Sequence, residues 1–356
     1  MKKYVFIMNQ FKTGGVETVL TNLAQSVEIE IDLLIAHPET DQYLLDRLPS
    51  NVHVVEQPIS VPRSAKGILT AIQVGKNYRR TCQGQVPVAI NFSDTLTSLL
   101  IARTINPNHY YSWIHCNPQA LLNSKTYPLY WHLLKGAEHV VFISKAQEEL
   151  FCSLKQSRRL DQSKAIQCYN FLIGQGHYDE EVKVEQPFFF TAARLDLRSK
   201  DYPTLIAAYK KLPAAIKDRY QLLIAGDGND HDQVAKMIEQ AGLNDRIKLL
   251  GTVQDVRPYL QACTLYLHAS ISEGFSMAIL EALSQGATVV AADCPVGPAE
   301  LLDNGKYGYL YQLRDVDGLS DQIQVALEKP FAPTVAKERA QKISQTGIAS
   351  VKEFLA

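Results

Sequence analysis

The stretch Ser270-Ile271-Ser272-Glu273-Gly274-Phe275-Ser276-Met277-Ala278-Ile279-Leu280-Glu281-Ala282-Leu283-Ser284-Gln285-Gly286 lies between two short apolar runs, 265–268 and 288–292. Each run has the length and near-continuous hydrophobicity of a strand buried on both faces. Between them Gly274 permits a tight turn, and Ser276 is placed as the N-cap of a helix over 277–285. Gly286 is placed to end that helix. Strand, turn, helix and strand in this order form a βαβ unit, the building block of a parallel sheet.

The same alternation continues outward. Strands are expected at 188–193, 220–225 and 247–250, with helices at 202–211, 232–241 and 256–262. In the first half the strand candidates are 4–8, 30–36, 52–55, 86–92, 110–115 and 139–143. Amphipathic stretches at 16–26, 67–78 and 95–103 separate them, and Ser144 reads as the cap of a helix over 146–154. The polar stretch 174–186, with Asp179, Glu180, Glu181 and Glu185, is the most linker-like segment. The expected architecture is therefore α/β, with two doubly wound Rossmann-like domains facing a cleft. A first domain would span 1–174, a second 187–333, and a helical tail at 334–356 would pack back on the first. A length of 356 residues suits two domains of roughly 150 residues each. Open α/β sheets bind ligands beyond the carboxyl ends of their strands, so the site is expected there.

Composition narrows the function classes. Thirty-six Lys and Arg balance thirty-seven Asp and Glu, so the basic excess of a phosphate-neutralising nucleic-acid binder is missing and no nucleic-acid partner is expected. Local basic clusters occur at Lys76-Asn77-Tyr78-Arg79-Arg80 and Arg158-Arg159; they read as solvated faces or as contacts with an anionic membrane surface. The six cysteines are scattered without metal-ligand spacing, and the nine histidines form no ligand pair, so no metal is expected. The apolar run 4–8 is too short for a signal-peptide core, and no run approaches a membrane span. A cytoplasmic protein, at most peripheral to the membrane, is the expectation.

Several residues can carry chemistry. Gly14-Gly15-Val16-Glu17 follows the first strand and opens the first helix, where glycines allow close approach and the helix N-terminus favours an anion. As a bare Gly-Gly turn it is equally an ordinary turn. It is neither the GxGxxG of a dinucleotide site nor a P-loop. Glu273 in the turn and Glu281 two helical turns on could hold different hydroxyl-bearing parts of one ligand, a sugar ring and a ribose; out of context, each could be a surface carboxylate. His115 ends a strand, where a lone histidine serves either structure or site. Asn91 and Ser93-Asp94 end another strand and are lesser candidates. Tyr110, Tyr111, Trp113, Tyr127, Tyr130 and Trp131 read either as core or as a stacking platform for an acceptor sugar.

The segment Glu273 to Gly286, continued by Thr288-Val-Val-Ala-Ala-Asp293-Cys-Pro-Val-Gly297-Pro-Ala-Glu300, resembles the C-terminal signature of the family 4 retaining glycosyltransferases of the GT-B fold. Gly14-Gly15-Val16-Glu17 is similar to that family's N-terminal loop. Ala193-Arg194-Leu195 with Lys200-Asp201, Ala225-Gly226-Asp227-Gly228, Leu250-Gly251 and Asn170 fall at comparable positions. The Asp-Cys-Pro-x-Gly-Pro run is similar to members that build bacterial surface polysaccharides and lipopolysaccharide cores. The resemblance implies a nucleotide-diphosphate sugar donor, most simply a UDP-hexose or UDP-N-acetylhexosamine, and a glycan, lipid-linked or cell-wall acceptor. It implies that Glu281 binds the nucleotide ribose, Glu273 the donor sugar, and Arg194 and Lys200 the diphosphate. His115 would lie near the sugar. Gly14, Gly15, Asn170, Gly226, Gly274, Phe275 and Ser276 would line the nucleotide-sugar site. No cofactor or metal is implied beyond the donor itself. Two other readings of the same fold stay open: an inactive partner or chaperone subunit of a transferase complex, which would dispense with the phosphate-binding cations, and an NDP-sugar epimerase.

Overall fold

The structure is a computed structural model, and it describes residues 3–12, 14–37, 40–55, 61, 66–122, 127–154, 161–174, 182, 184 and 186–355. The chain divides into two compact units. One comprises residues 1–173 with 345–356, the other 174–344.

The first unit is built on a parallel sheet of β1 (Tyr4–Met8), β2 (Ile31–Ile35), β3 (Val52–Val55), β4 (Val88–Asn91), β5 (Tyr110–Ile114), β6 (His139–Phe142) and β7 (Ala165–Gln167). Its strand order is β3-β2-β1-β4-β5-β6-β7, with parallel pairing throughout. β1 and β2 are buried along their whole length; β1 is apolar throughout, and the one charge of β2, Asp32, pairs with Lys3 at 2.8 Å and accepts from the Tyr78 hydroxyl. Helices seal the core on the face that carries Val5 and Ile7, where Val74 and Tyr78 of Lys66–Thr81 join Leu99, Ile101 and Ile105 of Leu96–Ile105.

The second unit carries β8 (Phe188–Ala192), β9 (Gln221–Ala225), β10 (Ile247–Gly251), β11 (Leu265–His268), β12 (Val289–Asp293) and β13 (Tyr309–Gln312). Their order is β10-β9-β8-β11-β12-β13, again parallel. In each unit the chain first winds to one side of its opening strand and then to the other. The strand order therefore reverses between β1 and β4, and between β8 and β11. At such a switch point the two adjacent loops leave in opposite directions and open a crevice beyond the strand ends.

The helix Pro333–Leu355 begins in the second unit, where Arg339 donates to the carbonyls of Glu300 and Leu301 at 2.7 and 2.9 Å. Its last turns belong to the first unit. There Phe354 packs on Tyr111, Trp113 and His139, and the Tyr4 hydroxyl donates to the carbonyl of Leu355 at 3.1 Å.

The aromatic cluster resolves towards core. Tyr110, Trp113 and Tyr130 are at most 4% exposed, and Trp131 packs on Phe151. The side chain of Tyr127, Arg158-Arg159 and most of the expected linker lie outside the described residues.

Candidate active site

The second unit gathers its polar residues at the β8–β11 switch point. The loop after β8 carries Arg194 and Lys200; the loop after β11 carries Ser270, Glu273 and the turn 274–276. The two loops are stitched together. The Asp201 amide donates to the Ala269 carbonyl, the Ile271 amide donates to the Ser199 carbonyl, both at 2.9 Å, and Lys200 and Ser270 form an antiparallel bridge. Asp201 also caps the helix Tyr202–Lys211 by accepting from the Thr204 amide. Lys200 is thus held by backbone on both sides.

Its Nζ donates to Glu273 Oε1 at 2.5 Å and to Ser270 Oγ at 2.8 Å. The side chains of Lys200 and Glu273 are only 16% and 15% exposed. Burial alone would raise the Glu273 carboxyl; the Lys200 ammonium, with His268, overrides it and holds the group well below the usual carboxylate range. An ammonium has three donors, so one N–H of Lys200 remains beyond its two partners here.

His268, the last residue of β11, was not singled out in the sequence. It is 2% exposed, and its Nε2 lies 3.0 Å from Ser276 Oγ and 3.3 Å from Glu273 Oε1. Burial lowers its pKa, so the imidazole is neutral. Ser276 does occupy the N-cap position of the helix Met277–Gln285, but its hydroxyl caps no amide. The expected side-chain cap is corrected: the residue sits in the left-handed region at φ 82°, and its Oγ faces His268 instead. Gly286 ends that helix in the left-handed conformation, as expected.

Two glycines bring backbones together around this turn. A Cβ on Gly297, at φ 102°, would stand 2.3 Å from the Phe275 carbonyl oxygen. One on Gly226, at φ 130°, would stand 2.1 Å from that of Ala193. Neither position admits a side chain without backbone movement. Phe275 is 2% exposed and anchors the turn in the core.

Glu281 is half-buried on the Met277–Gln285 helix. Burial pushes its carboxyl up to about 7, against the opposing Arg257 guanidinium, which Asp255 holds through two hydrogen bonds of 2.7 and 2.8 Å. Arg194 is exposed. Of the residues expected at the site, the second unit therefore collects Arg194, Lys200, Gly226, Glu273, Gly274, Phe275, Ser276 and Glu281 at the carboxyl edge of its sheet.

The first unit holds Gly14, Gly15, His115 and Asn170, each just beyond a strand's carboxyl end. Gly14 caps the helix Gly15–Ser26 in ordinary extended backbone. A Cβ there would meet Glu17 Oε2 at 2.8 Å. His115 follows β5 and touches Phe92 and Trp113. Neither ring nitrogen has a hydrogen-bond partner among the described residues, and burial lowers its pKa to about 3. Asp94, beyond β4, accepts from the His115 amide through both oxygens at 3.0 and 3.2 Å, and burial raises its carboxyl to about 6. Asn170 is 4% exposed, and its Oδ1 has no hydrogen-bond partner among the described residues. Among the described residues no group of three or more His, Cys, Asp or Glu is placed to hold a metal ion, and no helix is long and apolar enough to cross a membrane.

Comparison with known proteins agrees with the two-unit fold. The glycosyl transferases group 1 family profile matches residues 173–348. Over 98% of its length and 98% of the relative's, the chain is 23% identical to the N-acetylgalactosamine-N,N'-diacetylbacillosaminyl-diphospho-undecaprenol 4-alpha-N-acetylgalactosaminyltransferase of Campylobacter jejuni. A 106-residue stretch, covering 29% of this chain and 30% of the relative, is 34% identical to the lipopolysaccharide 1,6-galactosyltransferase of Escherichia coli. Among solved structures, Anabaena HepE in complex with UDP and glucose has a TM-score of 0.79 at 21% identity, over 100% of this chain and 98% of that one. Two parallel α/β units of GT-B type, a group 1 glycosyl transferase match over residues 173–348 and relatives named as glycosyltransferases make this chain a glycosyltransferase.

Proposed function

We propose that the protein is a retaining, family 4 glycosyltransferase that moves a hexose or N-acetylhexosamine from a UDP-sugar to a glycan, lipid-linked or cell-wall acceptor. The observation that carries this reading is the Lys200–Glu273 pair at the β8–β11 switch point. It supplies a fixed cation for a leaving diphosphate beside a fixed anion for sugar hydroxyls.

Departure of UDP develops negative charge on the diphosphate. The remaining N–H of Lys200, the Arg194 guanidinium and the N-terminus of the helix Met277–Gln285 meet that charge without reorganising, which is the main requirement of electrostatic catalysis. Both Lys200 and His268 approach Oε1 of Glu273, so its other oxygen is the one left to accept from a sugar hydroxyl. Glu281 receives the ribose hydroxyls, and the close-packed loops at Gly226, Gly274 and Phe275 border the nucleotide. The acceptor hydroxyl attacks on the face from which the diphosphate leaves and passes its proton to a phosphate oxygen, so the anomeric configuration is retained. This route needs no metal and no carboxylate base. In the first unit, neutral His115 and the loops of Gly14, Gly15 and Asn170 are the candidates for ligand contact. UDP in the Anabaena structure supports the choice of base. The diphospho-undecaprenol in the Campylobacter relative's name supports a lipid-linked acceptor.

Such an acceptor places the protein at the inner face of the membrane. The helix Lys66–Thr81 favours this, with Ile68 and Leu69 39% and 73% exposed and Lys76, Arg79 and Arg80 also at the surface.

The test is a thermal-shift panel with UDP, GDP, ADP and CMP on the wild type and on Arg194→Ala, whose exposed side chain makes the fold insensitive to its loss. UDP at 100 times its Kd adds about 2.7 kcal/mol, a shift of several degrees. A shift with UDP that Arg194→Ala weakens is expected. No shift with any nucleotide overturns the donor assignment.

A further inference from the structure

We propose that His268 is a positioning residue for the donor sugar, which it serves by orienting Glu273 and the 274–276 turn rather than by touching the ligand. The inference rests on the reading of Glu273 as the sugar-binding carboxylate. It concerns a residue that touches no ligand in the transfer reaction as proposed.

The geometry is specific. One nitrogen, Nε2, faces two acceptors: Glu273 Oε1 at 3.3 Å and Ser276 Oγ at 3.0 Å. A bare lone pair on that nitrogen would face an ionised carboxylate oxygen, so the proton belongs on Nε2, shared between the two oxygens. Lys200 grips the same Oε1 from the other loop. Glu273 is therefore clamped through one oxygen by two donors from different strands' ends, which fixes where the other oxygen points. The second half of the contact steadies Ser276, a non-glycine residue held at φ 82°. Such a conformation persists only where its surroundings over-determine it. Here they are the His268 contact, the burial of Phe275 and the backbone contact with Gly297. His268 itself has no freedom to move, being 2% exposed and stacked on Tyr266. A neutral ring locked in the core and sharing one N–H between the carboxylate and the turn is an orienting device.

The experiment measures affinity by titration calorimetry for UDP and for whichever of UDP-glucose, UDP-galactose and UDP-N-acetylglucosamine binds the wild type tightest. The variants are His268→Leu, His268→Gln, His268→Asn, Glu273→Gln and the double His268→Leu/Glu273→Gln. Because the clamp acts on the sugar end, His268→Leu is expected to weaken the UDP-sugar about tenfold and UDP less than threefold. Gln, whose amide reaches the place of Nε2, retains sugar binding; Asn, shorter by one methylene, does not. In the Glu273→Gln background, His268→Leu costs less than threefold more, since the two changes break one device.

Equal losses for UDP and UDP-sugar, or additive losses in the double variant, overturn the proposal and leave His268 a core residue. Should His268→Leu fail to fold, the Gln and Asn pair decides, and equal behaviour of those two overturns it. If Glu273→Gln alone leaves UDP-sugar affinity unchanged, the reading of Glu273 fails first, and the inference built on it fails with it.

Discussion

Replacing Lys200 by alanine removes an ammonium from a carboxylate that cannot reach bulk water freely. Glu273 keeps only the His268 contact, and burial, the largest influence on it, acts unopposed to raise its pKa. Truncating one partner of a hydrogen-bonded, largely buried charge pair costs about 2–5 kcal/mol. For a unit of this size each kcal/mol lowers Tm by roughly 2–4 °C, so Lys200→Ala should melt at least ~4 °C below wild type at pH 7.5. The pH dependence follows from the sign of the shift. In the wild type Glu273 lies below its ordinary pKa of 4.5, so the pair's stabilisation is present above that value and is lost as pH falls further. In the variant the carboxyl is raised instead, and the chain recovers stability by protonating it. The Tm gap should therefore be widest at pH 7.5 and narrow steadily towards pH 4.5. Differential scanning calorimetry across that range tests this, with Lys200→Met/Glu273→Gln as the control expected to recover most of the loss. A Lys200→Ala protein melting within 1 °C of wild type at every pH would refute the claim that this pair is a coupled, buried unit.

Glu273→Gln should lower transfer from the UDP-sugar by about 10²–10³-fold, as for a lost preorganised contact, without unfolding the chain; steady-state rates with Tm alongside decide this. Glu281, raised to about 7, binds a proton in the folded chain between about pH 4.5 and 7 that the unfolded chain has lost, so it destabilises the chain increasingly through that window. Glu281→Gln should therefore raise the ligand-free Tm at pH 8 more than at pH 5, while weakening UDP; equal gains at both pH values would contradict the assignment. Gly226→Ala forces a side chain into φ 130° against the Ala193 carbonyl, costs on the order of 1–3 kcal/mol in backbone strain before the clash is relieved, and should abolish the UDP-induced thermal shift. Sedimentation with anionic vesicles at low salt should capture the wild type and not Leu69→Ser/Arg79→Ser/Arg80→Ser; no capture of either protein counts against the membrane-facing role of the helix Lys66–Thr81.

The sequence announces most of the fold because buried parallel strands are uniform. The runs that became β1, β2, β8, β11 and β12 are mostly apolar, with at most one polar or charged residue each, and the helix Met277–Gln285 carries its own stop at Gly286. The parts that escaped notice lie at sheet edges. β7 is half-buried at every position, and β13 runs from half-buried Tyr309 and Leu310 through buried Tyr311 to exposed Gln312, so neither has a period to read. At the site, Glu273 and Glu281 stand out through the Glu-Gly-Phe-Ser-Met context and the family resemblance it carries; their spacing alone would not mark them. His268 does not, since a lone histidine closing an apolar strand looks like core. Its meaning appears only when the chain turns back five residues later and sets Glu273 beside it. Ser276 misleads for a related reason: local preference favours a cap, whereas the tertiary contact with His268 draws the hydroxyl away.

The helix Pro333–Leu355 also sets an order of events. Residues 345–355 belong to the first unit, where Phe354 covers Tyr111, Trp113 and His139 and Leu355 receives the Tyr4 hydroxyl. On the ribosome the first sheet emerges early, yet this flank stays open until the whole second unit has been synthesised. The unit begun first is therefore finished last, and a nascent chain stalled in the second unit would display an uncovered aromatic face.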